Sequence, residues 1–411
     1  MRRFVFQFVF GWCERVRRPH YLRSWRGSAL PISQLGLVCC ALATGLNTTL
    51  AQNWTLTSAP SKQWVSVTSA ADGTKLAAAA FPGIFTSTNA GATWRSNDLP
   101  VRSWTGVAAS ANGGRLFATI GAYSVDHFFS STNFGTTWTS NNTPTSIPAI
   151  VSAADGIKLI GMTGGPQIYI STNAGATWTI ANLPSAAWNW AASSADGRVC
   201  AVVGNGPIYS STNSGVTWIS NQVIHAFWYG VACSADGRRI FATASANGVP
   251  SLWTSTDSGA NWSSNAAPSY LDQIVSSADG TKLASWAYMK QLYFSTDSGA
   301  TWSTGNSANA NWTAVAASAD GARLAACARG GGIFTAQSTP APKLNLAVAG
   351  TNLALSWVVP STSFVLQQSS DLSTANWITV TNAPALNMTN LELQVSLPVS
   401  QGAAFYRLSS P

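Results

Sequence analysis

The residues STNAGATW occur at positions 87–94 and again, letter for letter, at 171–178. Variants follow the same plan at 131–138 (STNFGTTW), 211–218 (STNSGVTW), 255–262 (STDSGANW) and 295–302 (STDSGATW). The closing tryptophans, Trp94, Trp138, Trp178, Trp218, Trp262 and Trp302, are spaced by 44, 40, 40, 44 and 40 residues. A second signature runs out of phase with the first. It is a turn of the form (A/S)-A-D-G at Asp72, Asp155, Asp196, Asp236, Asp279 and Asp320, with Asn112 standing in for the acid in SANG. A period near 40 residues across most of the chain restricts it to a repeat architecture, in which each copy of one small unit buries its apolar face on its neighbours. Seven turns predict seven units.

Within the first unit, WVSVTS (64–69), KLAAAA (75–80), IFTS (84–87) and TWRSN (93–97) are separated by Asp72-Gly73, by Phe81-Pro82-Gly83 and by the octapeptide. Alternation, β-branched residues and Gly-containing turns read as four strands. Four short strands per repeat is the pattern of a β-propeller blade, its strands A to D running outward from the axis. The last unit supplies strands A (312–318), B (323–328) and C (333–335), but AQSTPAP replaces its octapeptide. At the other end, QNWTLTSAP (52–60) precedes the first unit, and Trp54 lies ten residues before Trp64, the offset of Trp94 from Trp104. This segment is an orphan strand D, expected to complete the last blade and leave no open edge. The expected fold is all-β: a seven-bladed β-propeller over residues 52–336, a linker at 337–343 and a small C-terminal β-sandwich over 344–411. Strand-like runs at 353–357, 364–368, 377–380, 391–397 and 404–408 carry the last of these.

The octapeptide resembles the Asp box, S-x-D-x-G-x-x-W, of sialidases, other bacterial neuraminidase-like (BNR) repeats, sortilin-type receptors and related propellers, among them photosystem assembly factors. Asp257 and Asp297 keep the acid, whereas Asn89, Asn133, Asn173 and Asn213 replace it with an amide. The resemblance implies a structural turn between strands C and D, away from the binding face. Elementary chemistry agrees, because the side-chain oxygen of either residue accepts backbone N–H bonds and pins a turn. An amide would disable an acid catalyst but costs a turn little. One carboxylate or amide per turn is also a poor ligand set, so neither a metal nor another cofactor is expected. The tail, LSW…FVLQQSSDLSTANWITVTN…FYRL, resembles C-terminal modules of secreted proteins of Verrucomicrobia-type bacteria, which implies export.

The formal charge of +8 invites a nucleic-acid reading, and its distribution removes it. Seven of the 22 Lys and Arg residues lie within the first 26 positions, while beyond residue 51 there are 15 basic and 13 acidic residues. The body is near neutral and lacks an electrostatic footprint for nucleic acid. Residues 1–51 read as a signal peptide: an Arg-rich start, the apolar run LGLVCCALATGL at 35–46, and Thr49-Leu50-Ala51 as a cleavage site. The mature protein is expected to be a bacterial monomer, secreted or held at the cell surface or in the periplasm, with no transmembrane segment. Its three cysteines, Cys200, Cys233 and Cys327, are odd in number and lack CxxC spacing, which argues against a disulfide framework or a zinc site.

The sialidase pattern requires an arginine triad, a Tyr–Glu nucleophile and an Asp acid, yet Glu occurs only at Glu14 and Glu392. Six propeller Asp residues belong to A–B turns and two to octapeptides, which leaves Asp98, Asp126 and Asp272. The leading expectation is a non-catalytic binding or scaffold protein, with a protein or glycan ligand held on the face made by the D–A and B–C loops. Arg102, His127, Trp190, His225, Tyr229, Tyr270, Lys290 and Arg329 are the ligand-binding candidates there. The alternative is a polysaccharide-active glycoside hydrolase, sialidase- or xyloglucanase-like, using Asp126 and Asp272 as facing carboxylates about 5–10 Å apart.

Overall fold

The computed structural model describes residues 54–121, 127–184, 186–246, 248–268, 271–286, 291–304, 307, 309–337, 344–358, 365–370, 377–399 and 404–409. The leader, Asp126, Tyr270, Lys290 and residues 338–343 of the linker lie outside them. Every element among the described residues is a strand, and several four-stranded antiparallel sheets are arranged as a propeller.

The first unit shows why these residues form these sheets. Its strands Lys62–Ser69, Leu76–Phe81, Gly83–Ser87 and Arg95–Ser96 pair antiparallel in chain order. The second strand, LAAAAF, is buried up to its last residue because sheets cover both of its faces. Alanine there lets neighbouring sheets approach closely near the axis, and larger side chains fill the wedge further out. The fourth strand is two residues long and exposed, which suits an outer edge. Each inner strand carries, or closely follows, a large apolar anchor (Trp64, Trp104, Ile147, Trp188, Trp228, Leu271 and Trp312), and all of these are buried. Two seams are fused. Ile219–Cys233 serves one unit as outer strand and the next as inner strand, giving a six-stranded sheet. Lys62 and Gln63 pair with Gly331 and Arg329, joining the first and last units in an eight-stranded sheet.

Closure comes from both ends of the array. Strand Trp54–Leu56 pairs antiparallel with Ile333–Gln337, Trp54 opposite Ala336. The Trp54 ring lies 6.0 Å from Phe294 and 6.3 Å from Trp312, so the segment brings apolar contact as well as backbone pairing.

At the A–B turns the backbone itself closes a circle. The amide of Ala71 donates to the carbonyl of Ala111, Ala111 to Ala154, Ala154 to Ala195, Ala195 to Ala235, Ala235 to Ala278, Ala278 to Ala319, and Ala319 back to Ala71, at 2.7–2.8 Å. Around it runs a second, side-chain ring. Three residues after the turn Asp or Asn stands Lys75, Arg115, Lys158, Val199, Arg239, Lys282 or Arg323. Each lies over the turn glycine of the next unit, where an added Cβ would come within 2.5–3.1 Å of it. Lys75, Lys158 and Lys282 donate to the next turn's carbonyl at Asn112, Asp196 and Asp320 (3.1, 2.8 and 2.7 Å). Lys158 and Arg239 also reach Ser214 and Ser298 of the following octapeptide, and the Lys75 ammonium sits 5.5 Å from the Phe134 ring there. Six of the 15 basic residues of the body thus hold unit to unit.

In the C-terminal segment, strands Asn345–Ala349, Asn352–Val358, Glu392–Pro398 and Ala385–Asn387 form one sheet. Ile378–Thr379, Val365–Ser369 and Phe405–Ser409 form another. Leu355, Trp357, Leu366, Val395 and Leu397 make their shared core. Val358, Leu386, Met388, Leu391 and Leu393 pack on the alanines of the turn ring and cover it. No helix among the described residues is long and apolar enough to cross a membrane.

Removing the closing strand should open the ring. Trp54→Ala is expected to cost about 2–3 kcal/mol in urea unfolding, and deletion of residues 54–60 more, because both strip a half-buried aromatic from its neighbours. An unchanged midpoint for the deletion would show that the strand does not close the array.

Candidate functional site

Antiparallel strands alternate direction, so the A–B and C–D turns share one end of the ring and the D–A and B–C connections share the other. The chemistry of the two ends differs. At the turn end the Ser, Asn and Asp side chains of the octapeptides bond within their own turns. Ser87 Oγ donates to Asn89 Oδ1 (3.0 Å) and accepts from the Gly91 amide (2.9 Å). Asn89 Oδ1 accepts the Thr93 amide (2.9 Å), while its Nδ2 donates to Thr93 Oγ1 (2.9 Å). Asn133, Asn173 and Asn213 repeat this arrangement. In the acidic versions the polarity of the last bond reverses. Asp257 Oδ2 accepts from Asn261 Nδ2 (2.7 Å), and Asp297 Oδ2 accepts from the Thr301 hydroxyl. A threonine hydroxyl can be donor or acceptor, so the turn takes either residue. The fourth octapeptide residue (Ala90, Phe134, Ala174, Ser214, Ser258 or Ser298) has φ of 53–60°, and the glycine after it is also left-handed. Non-glycine residues hold that conformation only where surrounding bonds over-determine it.

These bonds set the acids' charge. The Asn261 amide and side chain hold the Asp257 carboxyl below its ordinary value. At Asp297, burial pushes upward, but the hydroxyl and amide of Thr301 outweigh it and the net shift is downward. In the A–B turns, Ser194 and the Arg198 amide bond Asp196, Ser234 and the Arg238 amide bond Asp236, and Ser318 and the Ala322 amide bond Asp320. These carboxylate oxygens are taken up in pinning the turns.

The thiols are inert as well. Burial pushes Cys200 and Cys327 up to about 12 and raises Cys233 too, far from the thiolate range of a nucleophile. Among the described residues, no three His, Cys, Asp or Glu side chains come together to hold a metal.

At the loop end the sequence candidates fall at scattered places. Arg102 is exposed between strands Arg95–Ser96 and Trp104–Ala109. Arg329 is exposed near the end of Arg323–Gly331, with its amide on the Asn311 carbonyl. His127 opens strand His127–Ser131 opposite Asn142, and His225 lies in Ile219–Cys233. Tyr229 is half-buried at a bulge between Trp228 and Gly230. Asp272 is half-buried, its amide on the Trp286 carbonyl (2.7 Å) and its own carbonyl accepting from Thr243 Oγ1 (2.8 Å). Its proposed mate, Asp126, lies outside the described residues, as do Tyr270 and Lys290. Asp98 is exposed. Large apolar side chains also face solvent at this end: Phe81, Val101, Phe227 and Val249.

Among the described candidate side chains, Trp190 alone reaches the axis. It is half-buried, packs on the cluster around Val203 and Trp228, and lines a central channel of about 520 Å³. Residues of the inner strands around Val65, Thr105, Ile150, Ala191, Val231, Val275 and Val315 form the channel wall, and no charged side chain is among the described residues that line it. Beyond these candidates, sequence reasoning missed the basic side-chain ring. Its signal was present as Lys or Arg three residues after the turn Asp or Asn in six of the seven repeats.

No family model matches the chain, and no curated protein does. Solved structures do. A Ycf48 bound to a D1 peptide superposes with a TM-score of 0.55 at 13% identity, over 71% of this chain and 97% of that one. YCF48 from Cyanidioschyzon merolae gives 0.54 at 12%, over 69% and 98%. The GH74 xyloglucanase from Xanthomonas campestris gives 0.54 at 14%, over 75% of this chain and 59% of its own. A GH74 enzyme from Niastella koreensis gives 0.53 at 14%, over 87% and 74%. At such identities the likeness shows a shared propeller fold.

The turn chemistry makes a paired prediction. Asp297→Asn should leave stability at pH 7 within about 0.5 kcal/mol, whereas Asn173→Ala should cost about 1 kcal/mol through its lost turn bonds. Asp297 has a lowered folded pKa, so its contribution is present above the unfolded value near about 4 and lost as pH falls through the folded one. Asp297→Asn should therefore flatten the acid limb of the stability profile. A large loss at pH 7 would contradict an interchangeable turn residue.

Proposed function

We propose that the chain is an exported seven-bladed β-propeller of Asp-box repeats (residues 52–336) joined to a C-terminal β-sandwich (344–411), acting as a non-catalytic binding or scaffold protein. Its ligand, a protein or a glycan, sits on the face of D–A and B–C loops. The observation that carries this is the division of labour between the two ends. Eight propeller aspartates belong to turns at one end, while the other presents Phe81, Val101, Phe227 and Val249 beside Arg102 and Arg329. The closed alanine circle of seven bonds supports the blade count, and the two sheets around Trp357 support the sandwich. Export rests on the leader and on the resemblance of the tail. A Ycf48 of the same fold, bound to a D1 peptide, is a precedent for ligand binding without hydrolysis.

The second reading is a polysaccharide hydrolase, favoured by the likeness to two GH74 enzymes and by an unassigned pair, Asp126 and Asp272. Glycan-array and pull-down screens of the mature protein, with turnover assays on every hit, separate the two. Binding without turnover is expected, and Asp272→Asn should leave it unchanged. Turnover that disappears in folded Asp126→Asn or Asp272→Asn would establish the hydrolase instead.

A further inference from the structure

We propose that the central channel is a ligand site of its own and takes a neutral sugar residue, free or at the end of a glycan, entering from the loop end. This rests on the reading of the chain as a binding protein and narrows it to a ligand class. At about 520 Å³ the channel falls within the roughly 300–1,000 Å³ of small-molecule sites. Its far end is covered, because the alanine ring lies there with Met388, Leu391 and their neighbours of the C-terminal segment packed over it. A ligand therefore enters by its end rather than passing through.

The lining dictates the chemistry. With no charged described side chain in the wall, an ion brought into the channel would shed water without gaining a partner. Uncharged polar groups are plentiful, and their remaining capacity is mixed. Ser66 Oγ accepts the Val107 amide (3.2 Å) and keeps its proton to give. Thr105 Oγ1 donates to the Pro148 carbonyl (2.7 Å) beside Thr119 Oγ1 (3.2 Å), and Thr313 Oγ1 to the Trp64 carbonyl (3.0 Å) beside Cys327 Sγ (3.3 Å). This leaves each at least one lone pair to accept. Donors and acceptors alternating around a wall match the adjacent hydroxyls of a sugar.

One position breaks the repeat. The second residue after each inner-strand anchor is Ser66, Gly106, Ala149, Gly230 or Ala314 in five units, and Trp190 and Gln273 in the other two. The architecture favours small residues here: a Cβ on Gly106 would meet Thr119 Oγ1 at 2.9 Å, and one on Gly230 the Asp272 carbonyl at 2.7 Å. A tryptophan and a glutamine, both in the channel wall, are departures the ring does not require. A half-buried indole offers a flat apolar face to the C–H face of a pyranose, and an amide nearby offers a donor and an acceptor.

Calorimetric titration of the mature chain with glucose, galactose, xylose, N-acetylglucosamine, cellobiose and xylobiose, against glucuronate and glucosamine, tests this. At least one neutral sugar should bind, and the charged sugars should bind more weakly. Trp190→Ala should weaken the hit roughly tenfold or more. Ala149→Leu, which fills the channel from another inner strand, should do the same, so the test survives if either variant misfolds. The proposal is overturned if no neutral sugar binds, or if binding is indifferent to both substitutions. A macromolecule captured on the loop face, with sugar titrations flat, would leave the binding reading standing and remove the channel site.

Discussion

The circle of alanine amides and carbonyls at the A–B turns is the constraint on which the molecule depends. Each unit contributes one donor and one acceptor, so each backbone group is satisfied only by a neighbour on the correct side, and the last donor only by the first acceptor. An open array would leave Ala319 without its acceptor and Ala71 without its donor. This closure fixes the turn geometry, which sets the spacing of inner strands, and that spacing makes both the axial channel and the wedges filled by the buried tryptophans. The basic side chains tie the same turns together at larger radius. Burial lowers the Lys282 pKa, but the ammonium still donates to the next turn's carbonyl at 2.7 Å.

The repeated residues are consumed by this work. Serine, asparagine, aspartate and glycine of the octapeptide bond one another, and the acids that look like catalytic material are turn acceptors. In five of the six turns a threonine hydroxyl faces the amide or the acid, as acceptor or as donor, and in the sixth Asn261 donates to Asp257. Residues that vary from unit to unit are relieved of that duty, and they gather at the other end and in the channel wall. Trp190, Gln273, Phe227 and Arg329 are of this kind.

Much of the fold was legible because the repeat exposes it. The out-of-phase turns located the units, and the Trp54–Trp64 offset anticipated the strand that pairs with Ile333–Gln337. The cation ring was overlooked because its residues lie between two signatures and interact only across units, with a partner about 40 residues away. Strands Asn345–Ala349 and Ala385–Asn387 escaped notice for another reason. Both are sheet edges: Asn345–Ala349 alternates, but its Leu346 and Val348 face solvent and report no buried face, and Ala385–Asn387 is only three residues long. The channel site was visible only in part. Trp190 stood out as an aromatic, but its importance comes from occupying a position that Ser, Gly or Ala fills in five other units, and that equivalence needs the register of all the inner strands.

The ring of turns is closed collectively, each unit completing its neighbour's backbone bonds. Native-state hydrogen exchange of the amides of Ala71, Ala111, Ala154, Ala195, Ala235, Ala278 and Ala319 tests this most directly. A circle that opens only when the whole propeller unfolds predicts that all seven exchange with one free energy, equal to that of global unfolding. Exchange of Ala319 at a much lower free energy than the rest would mean a seam that opens by itself, and would contradict the account.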